Sequence, residues 1–249
     1  MKKRSIFLKK ISGIFLIILA TNFYWTEVRE RDWQYVTRTD DELKKYYTNK
    51  ELILNLYQLA KDFHEISTKH KLQYWIEGGT LLGAVRNEGI IKFDDDVDVQ
   101  IMHEDEIRFQ DLIPEFEKLG YTIHHRAIYS ICHATGHPCL DIFICHRIKD
   151  NIIIYTNLSI RNKFIRTFFY MDELFPLKKY KFGEIELYGP KNPIAHLDRN
   201  YPEWDKYAVI HQKHTDFFYV LGINKVKFLL TLGLRKPAEP TGPLKNRVN

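Results

Sequence analysis

At 249 residues, with 45% hydrophobic and 28% charged side chains, the chain can bury one full core and is too apolar for wholesale disorder. Its net charge of +5 comes entirely from Lys2, Lys3, Arg4, Lys9 and Lys10. The rest of the chain holds 32 basic and 32 acidic side chains, which excludes a global field that would draw in nucleic acid.

The basic start runs into an apolar segment, Ile11 to Trp25, with Ile14 to Ala20 at its core. Taken from Ile6, with Lys9 and Lys10 snorkelling, it reaches the ~20 residues of a membrane span. Phe23, Tyr24 and Trp25 read as an interfacial aromatic belt, and only Ala20-Thr21-Asn22 offers a weak cleavage site. Residues 1–25 are therefore expected to be a cytoplasmic tail and signal anchor, with a cleaved signal peptide as the alternative. That makes a single-pass type II membrane protein with its domain in the ER or Golgi lumen, or else a secreted one. Residues 26–48, charged and aromatic without a sustained period, read as a stem, and 49–235 as the catalytic domain.

Leu52, Leu56, Leu59, Phe63 and Ile66 recur at helical spacing and predict a helix over Glu51 to Ser67. The run Leu72 to Ile76 predicts a buried strand, broken by Gly78, Gly79 and Thr80, which open a short helix carrying Leu81, Leu82 and Val85. A strand from Phe93 to Met102 would put Asp94, Asp96 and Asp98 on one face and Phe93, Val97, Val99 and Ile101 on the other, with Asp95 turned away. A second amphipathic helix is expected over Glu104 to Leu119, carrying Ile107, Leu112, Ile113, Phe116 and Leu119 and stopped by Gly120. Four strands follow, Tyr121 to His125, Ala127 to His133, Leu140 to Ile148 and Ile152 to Tyr155. Beyond them, Pro193 to Tyr201 reads as a short helix and Asp216 to Leu234 as a peripheral one. The proline-rich end, 236–249, reads as disordered.

The chemistry gathers in two places. A Gly-Gly turn feeding a helix offers backbone N–H groups and a positive dipole end that suit phosphate, with Arg86 further along to add a bidentate contact. The carboxylates of Asp96 and Asp98 repel each other unless a hard cation joins them, which points to magnesium or manganese. Asp141, alone between Leu140 and Ile142, is costly in so apolar a strand without a partner and is read as a third metal ligand across the sheet. Asp94 is expected to support these ligands. An EF-hand fails because Val99 and Asp105 stand where Gly and Glu are needed.

Other clusters carry less. Cys132, Cys139 and Cys145 allow one disulfide with a thiol left over, and the 132/139 pair could close a tight hairpin. The same cysteines with His133, His137 and His146 match no standard zinc spacing. Asn157-Leu158-Ser159 is a glycosylation sequon. Arg161, Lys163, Arg166, Lys178, Lys179 and Lys181 among aromatic residues form either a solvated face or a basic wall for a pyrophosphate.

Gly79-Thr80-Leu81-Leu82-Gly83-Ala84-Val85-Arg86, followed by Phe93-Asp94-Asp95-Asp96-Val97-Asp98, resembles the LicD/fukutin-related phosphotransferases. A second block agrees, Leu174-Phe175-Pro176-Leu177-Lys178-Lys179 with Phe182-Gly183, Asn192-Pro193, Leu197, Tyr201 and Trp204, so the resemblance spans about residues 50 to 205. It implies an α/β nucleotidyltransferase-like fold, a mixed sheet flanked by helices. It also implies transfer of phosphocholine or ribitol phosphate from a CDP-linked donor to a glycan or glycoprotein. Two alternatives are a metal-dependent glycosyltransferase, since Asp96-Val97-Asp98 fits Asp-x-Asp, and a catalytically inactive glycan-binding relative.

Overall fold

The computed structural model describes residues 39–211 and 225–248. The expected anchor and most of the expected stem therefore lie outside the described residues. Among those residues no helix is long and apolar enough to cross a membrane. The end of the stem segment belongs to the domain instead. Thr39 caps helix α1, Asp40–Leu43, in a capping box with Glu42. Leu43 is wholly buried with Ala208, Leu230 and Leu234. Its partners come from the far end of the chain, so local periodicity could not announce them.

Helix α2, Lys50–Lys69, is capped by the Asn49 side chain and buries Ile53, Leu56, Leu59, Phe63 and Ile66. Strand β1, Tyr74–Ile76, leads into α3, Gly78–Arg86, then β2, Asp96–Met102, and α4, Glu106–Lys118. Helix α4 buries Phe109, Leu112 and Phe116, and Phe116 stacks on Phe63 of α2 at 6.0 Å. Ile107, expected in that stripe, is 72% exposed. It stands two residues before Phe109, about 200° around the helix, so regular spacing alone turns it off the buried face.

Strands β3, Thr122–His125, β4, Tyr129–Cys132, β5, Cys139–Arg147, and β6, Ile152–Tyr155, follow close to their expected places. A short helix α5, Leu158–Lys163, precedes β7, Phe169–Tyr170, and α6, Met171–Leu174. The described residues form a seven-stranded mixed sheet in the order β1-β2-β5-β4-β3, with β6 on β5 and β7 on β6. Only β2 and β5 run parallel among these pairs, and they sit at the apolar centre, with Val97, Val99, Ile101, Leu140 and Ile142 buried. Cys132 and Cys139 form a disulfide across the β4–β5 hairpin, and Cys145 is free and buried. With those two thiols bonded to each other, the cysteine–histidine segment has no set left for zinc.

The hairpin of β8, Lys178–Phe182, and β9, Ile185–Gly189, carries Lys179 and Lys181, which pair at the surface with Glu186 and Glu88. These two lysines follow the solvated reading. Helix α7, Ile194–Asn200, matches its expectation. The expected helix over Asp216 to Leu234 does not form where it is described. Lys225–Leu229 is strand β11, antiparallel to β10, Tyr207–His211. Lys225-Val226-Lys227-Phe228 alternates with period two, a strand signal that overall apolarity had masked.

The proline-rich end is packed, not disordered. Tyr57 Oη donates to Ala238 O at 3.1 Å, Lys245 N donates to Gln58 Oε1 at 2.7 Å, and Arg247 Nη1 lies 3.1 Å from Asp62 Oδ2. Asp62 has no solvent exposure, and this segment sets the Arg247 guanidinium beside it to offset its burial.

Candidate active site

The site is built where β1 ends. Glu77 is extended, and Gly78 turns with φ +56°, a left-handed conformation that a side chain would strain. Space forbids one as well. A Cβ on Gly78 would sit 2.6 Å from Asp98 Oδ2, and one on Gly79 2.7 Å from Asp94 Oδ2. The Gly-Gly turn is thus the floor on which two carboxylates rest at the positive end of α3. A phosphate brought to this helix end would meet carboxylates first, so the cradle suits phosphate only together with a cation.

Thr80 is buried, and its Oγ1 accepts from the Asp98 backbone N–H at 2.8 Å. This bond stitches α3 to β2, a fastening role beyond the expected phosphate contact. Because β2 starts at Asp96, Asp94 and Asp95 lie in the preceding turn and not on the strand face. Asp94 N donates to Ile91 O, and Thr48 Oγ1 donates to Asp94 O at 2.8 Å. The turn brings carboxylate oxygens of Asp94, Asp95 and Asp96 within 4.8 Å of one another. Asp95 is therefore not turned away, and Asp94 is as well placed to ligate as Asp96.

Across the sheet, Asp98 pairs in register with Asp141, and Asp96 with Cys139. Ser130 Oγ on β4 donates to Asp141 Oδ1 at 2.6 Å. Burial pushes the Asp141 carboxyl above its ordinary range, and the Ser130 bond opposes that. Burial, then repulsion from Asp96 and Asp95, pushes Asp94 well up. Burial, then repulsion from Asp96, Glu77, Asp141 and Asp94, does the same to Asp98. The set cannot be fully ionised without added positive charge.

Arg86 sits beside this charge but is otherwise engaged. Its Nη1 donates to Trp204 O at 3.2 Å and Tyr207 O at 3.5 Å, and its Nε to Asn87 Oδ1. Burial lowers its pKa to about 10, while Asp94 acts the other way. It fastens the 204–207 segment next to Asp94, and those carbonyls take its Nη1 donors.

Two residues escaped the sequence reading. Glu77 is 5% exposed and accepts from Tyr155 Oη and Gln100 Nε2, both at 2.5 Å, while Gln100 Oε1 accepts from Trp75 Nε1. Burial pushes its pKa up to about 7. The signal was available, since an acid closing the strand Tyr74-Trp75-Ile76 is as anomalous as Asp141. Tyr201 follows α7, and its phenol is pushed up by burial, then by the charges of Glu77, Asp98, Asp94 and Asp96. It faces the acidic group from the second motif block.

Residues 71–192 match the profile of the LicD/FKTN/FKRP nucleotidyltransferase domain. Over 243 residues the chain is 53% identical to uncharacterized protein RP689 of Rickettsia prowazekii, covering 97% of this chain and 90% of that one. Identity to uncharacterized protein RT0683 of Rickettsia typhi is 51% over 253 residues, covering 99% and 78%. The lipopolysaccharide cholinephosphotransferase LicD of Haemophilus influenzae is 42% identical over 69 residues, 27% of this chain and 26% of its own length. Among solved structures, the lincomycin-bound lincosamide antibiotic adenylyltransferase LnuA aligns with 71% of this chain and 96% of its own, at TM-score 0.38 and 18% identity.

Proposed function

The chain belongs to the LicD/FKTN/FKRP nucleotidyltransferase-domain family, and on that premise we propose that it transfers a phosphorylated alcohol from a CDP-linked donor to a glycan hydroxyl. The alcohol is of the choline or ribitol type. The observation that carries this reading is the meeting of Asp94, Asp96, Asp98 and Asp141 at the N-terminal end of α3. That is an acidic set facing a helix end that favours anions, an arrangement suited to a diphosphate.

The donor set is all oxygen and mutually repelling, which fits a hard divalent cation. Magnesium or manganese held by Asp94, Asp96 and Asp98 would supply charge neutralisation for the donor's diphosphate. The residues do the rest. First-turn N–H groups of Gly79 and Thr80 orient phosphate oxygens. Asp141, steadied by Ser130, takes the proton of the acceptor hydroxyl as its oxygen attacks the alcohol-side phosphorus. The bond from that phosphorus to the bridging oxygen breaks, and CMP leaves with the bridging oxygen. Tyr201 lies within the charge field of Glu77, Asp98, Asp94 and Asp96, at the edge of the acidic group.

Mass spectrometry on a panel of CDP-alcohols and nucleotide sugars with glycan acceptors tests the reading. CMP release with the new phosphodiester on the acceptor is expected. A nucleoside diphosphate released from a sugar donor, insensitive to Asp141→Asn, would replace it with a glycosyltransferase. Glycan binding without turnover of any donor would make the chain a binding relative.

A further inference from the structure

Between Asp150 and Asp172 the chain has no acidic residue, but it carries Arg161, Lys163 and Arg166. Asn157 caps α5 by accepting from the N–H groups of Ser159 and Ile160, and the helix ends at Phe164. Along this segment Leu158 is 58%, Phe164 38% and Ile165 74% exposed. Lys163 and Arg166 are exposed as well, and Arg161 is half-buried. Lys163 Nζ lies 4.9 Å over the Phe164 ring, so cation and apolar surface form one patch. None of the three cations forms an ion pair among the described residues.

The patch is fastened to the domain. Thr167 Oγ1 donates to Asn200 Oδ1 at 2.8 Å, and Asn200 Nδ2 donates to Arg166 O. The Phe164 ring meets the Tyr155 ring edge-on, 6.4 Å between centroids. Tyr155 Oη in turn donates to Glu77, which opens the Gly-Gly turn. Two side chains thus separate the exposed patch from the floor of the acidic site.

We infer that this patch seats the domain on an anionic lipid bilayer. Leu158, Phe164 and Ile165 enter the boundary between headgroups and acyl chains, and Arg161, Lys163 and Arg166 are held by lipid phosphates. Charge complementarity selects this occupant. With no acidic side chain between Asp150 and Asp172 to oppose them, basic side chains flanking apolar ones match an anionic lipid surface. Residues 1–25 add five cations followed by an apolar run, so the same chain carries a second feature suited to a bilayer. Seated this way, the site is presented with an acceptor glycan that is itself attached to lipid.

The test uses the full chain with Ile165→Cys carrying an environment-sensitive fluorophore. Cys132 and Cys139 are bonded and Cys145 is buried, so the label goes to position 165. Ile107→Cys on α4 gives an equally exposed control. Vesicles of phosphatidylcholine, with or without phosphatidylglycerol, contain spin-labelled lipid as quencher. Quenching at 165 should exceed that at 107 by about twofold or more in anionic vesicles, and should fall to the control level in R161Q/K163Q/R166Q. Three results would each overturn the inference: equal quenching at the two positions, quenching that ignores both lipid charge and the triple substitution, or a chain that does not float with the vesicles. The readout uses no turnover, so it stands apart from the transfer reaction.

Discussion

Asp98 and Asp141 stand opposite one another on neighbouring parallel strands, with their carboxylates on the same face of the sheet. Strands lie ~4.8 Å apart, so two like charges share one inter-strand spacing. Burial, then repulsion from Asp96 and Glu77, with Asp141 after them, pushes the Asp98 carboxyl well above its ordinary range. A raised carboxyl pKa means that folding takes up a proton, so stability is fully present below the unfolded value and drains as pH rises toward the folded one. Asp98→Asn removes that drain. Without divalent cation, thermal unfolding should show the variant gaining on the parent as pH rises from 4 to 7, while CMP release falls by at least ~100-fold. A variant that loses stability at pH 7 while keeping its activity would remove Asp98 from the repelling set.

Glu77 gives a cleaner pH signature because its shift is bounded, with a pKa raised to about 7 by burial. The unfolded chain releases this proton near pH 4.5 and the folded chain near 7. Within that window the parent should lose on the order of 3 kcal/mol relative to Glu77→Gln, whose side chain does not titrate. Chemical denaturation of both proteins at pH 4.5 and pH 7 measures the difference, and a constant gap would mean that Glu77 ionises normally in the fold.

Gly79 tests whether the turn is a carboxylate floor. Its backbone is unstrained for any residue, but an added Cβ would lie 2.7 Å from Asp94 Oδ2. Gly79→Ala should therefore displace Asp94 and lower turnover by about tenfold or more, at a stability cost of about 1–3 kcal/mol. Turnover near the parent level would show that Asp94 can move without consequence.

What the sequence made legible follows from where each signal is local. The central strands announced themselves because Val97, Val99, Leu140 and Ile142 are apolar and closely spaced, and Asp141 stood out against them. Contacts that join distant segments left no such trace. The Asp98 N–H that Thr80 Oγ1 accepts, and the Trp204 and Tyr207 carbonyls that Arg86 Nη1 meets, give both residues fastening roles that no local pattern shows. Asp95 looked outward because a regular strand was assumed through residue 94, whereas the strand starts at Asp96. Glu77 carried a local signal, an acid closing the buried strand Tyr74-Trp75-Ile76, but its partners Tyr155 and Gln100 come from distant segments.

The C-terminal segment makes the same point energetically. Arg247 offsets the buried Asp62, which otherwise keeps its bonds from Tyr121 Oη and Gln58 Nε2. Arg247→Ala leaves that carboxylate without a cation and should cost about 3 kcal/mol. Truncation after residue 235 should cost more, since it also removes Ala238 from Tyr57. Urea unfolding of both variants checks this, and unchanged midpoints would return the segment to the status of a loose tail.

Asp94 and Asp95 are neighbours in sequence, and both reach Asp96, yet they should behave differently. Asp94 is fixed on three sides: its N–H donates to Ile91 O, its carbonyl accepts from Thr48, and its carboxylate rests on Gly79. The Asp95 backbone N–H donates to the Asp94 carboxylate, which turns that carboxylate toward the site. A ligand held in advance loses little freedom when a cation arrives, whereas a looser one gives up rotamer entropy in binding. Asp94→Asn should therefore weaken manganese binding by about 100-fold or more. Asp95→Asn should weaken it by about tenfold, within the range for a supporting residue, and leave turnover at saturating metal within a few-fold of the parent. Manganese titration followed by electron paramagnetic resonance, paired with CMP release at saturating metal, separates the two. If Asp95→Asn proves the more damaging of the pair, the ligand set shifts to Asp95 and Asp96, and Asp94 becomes the residue that orients them.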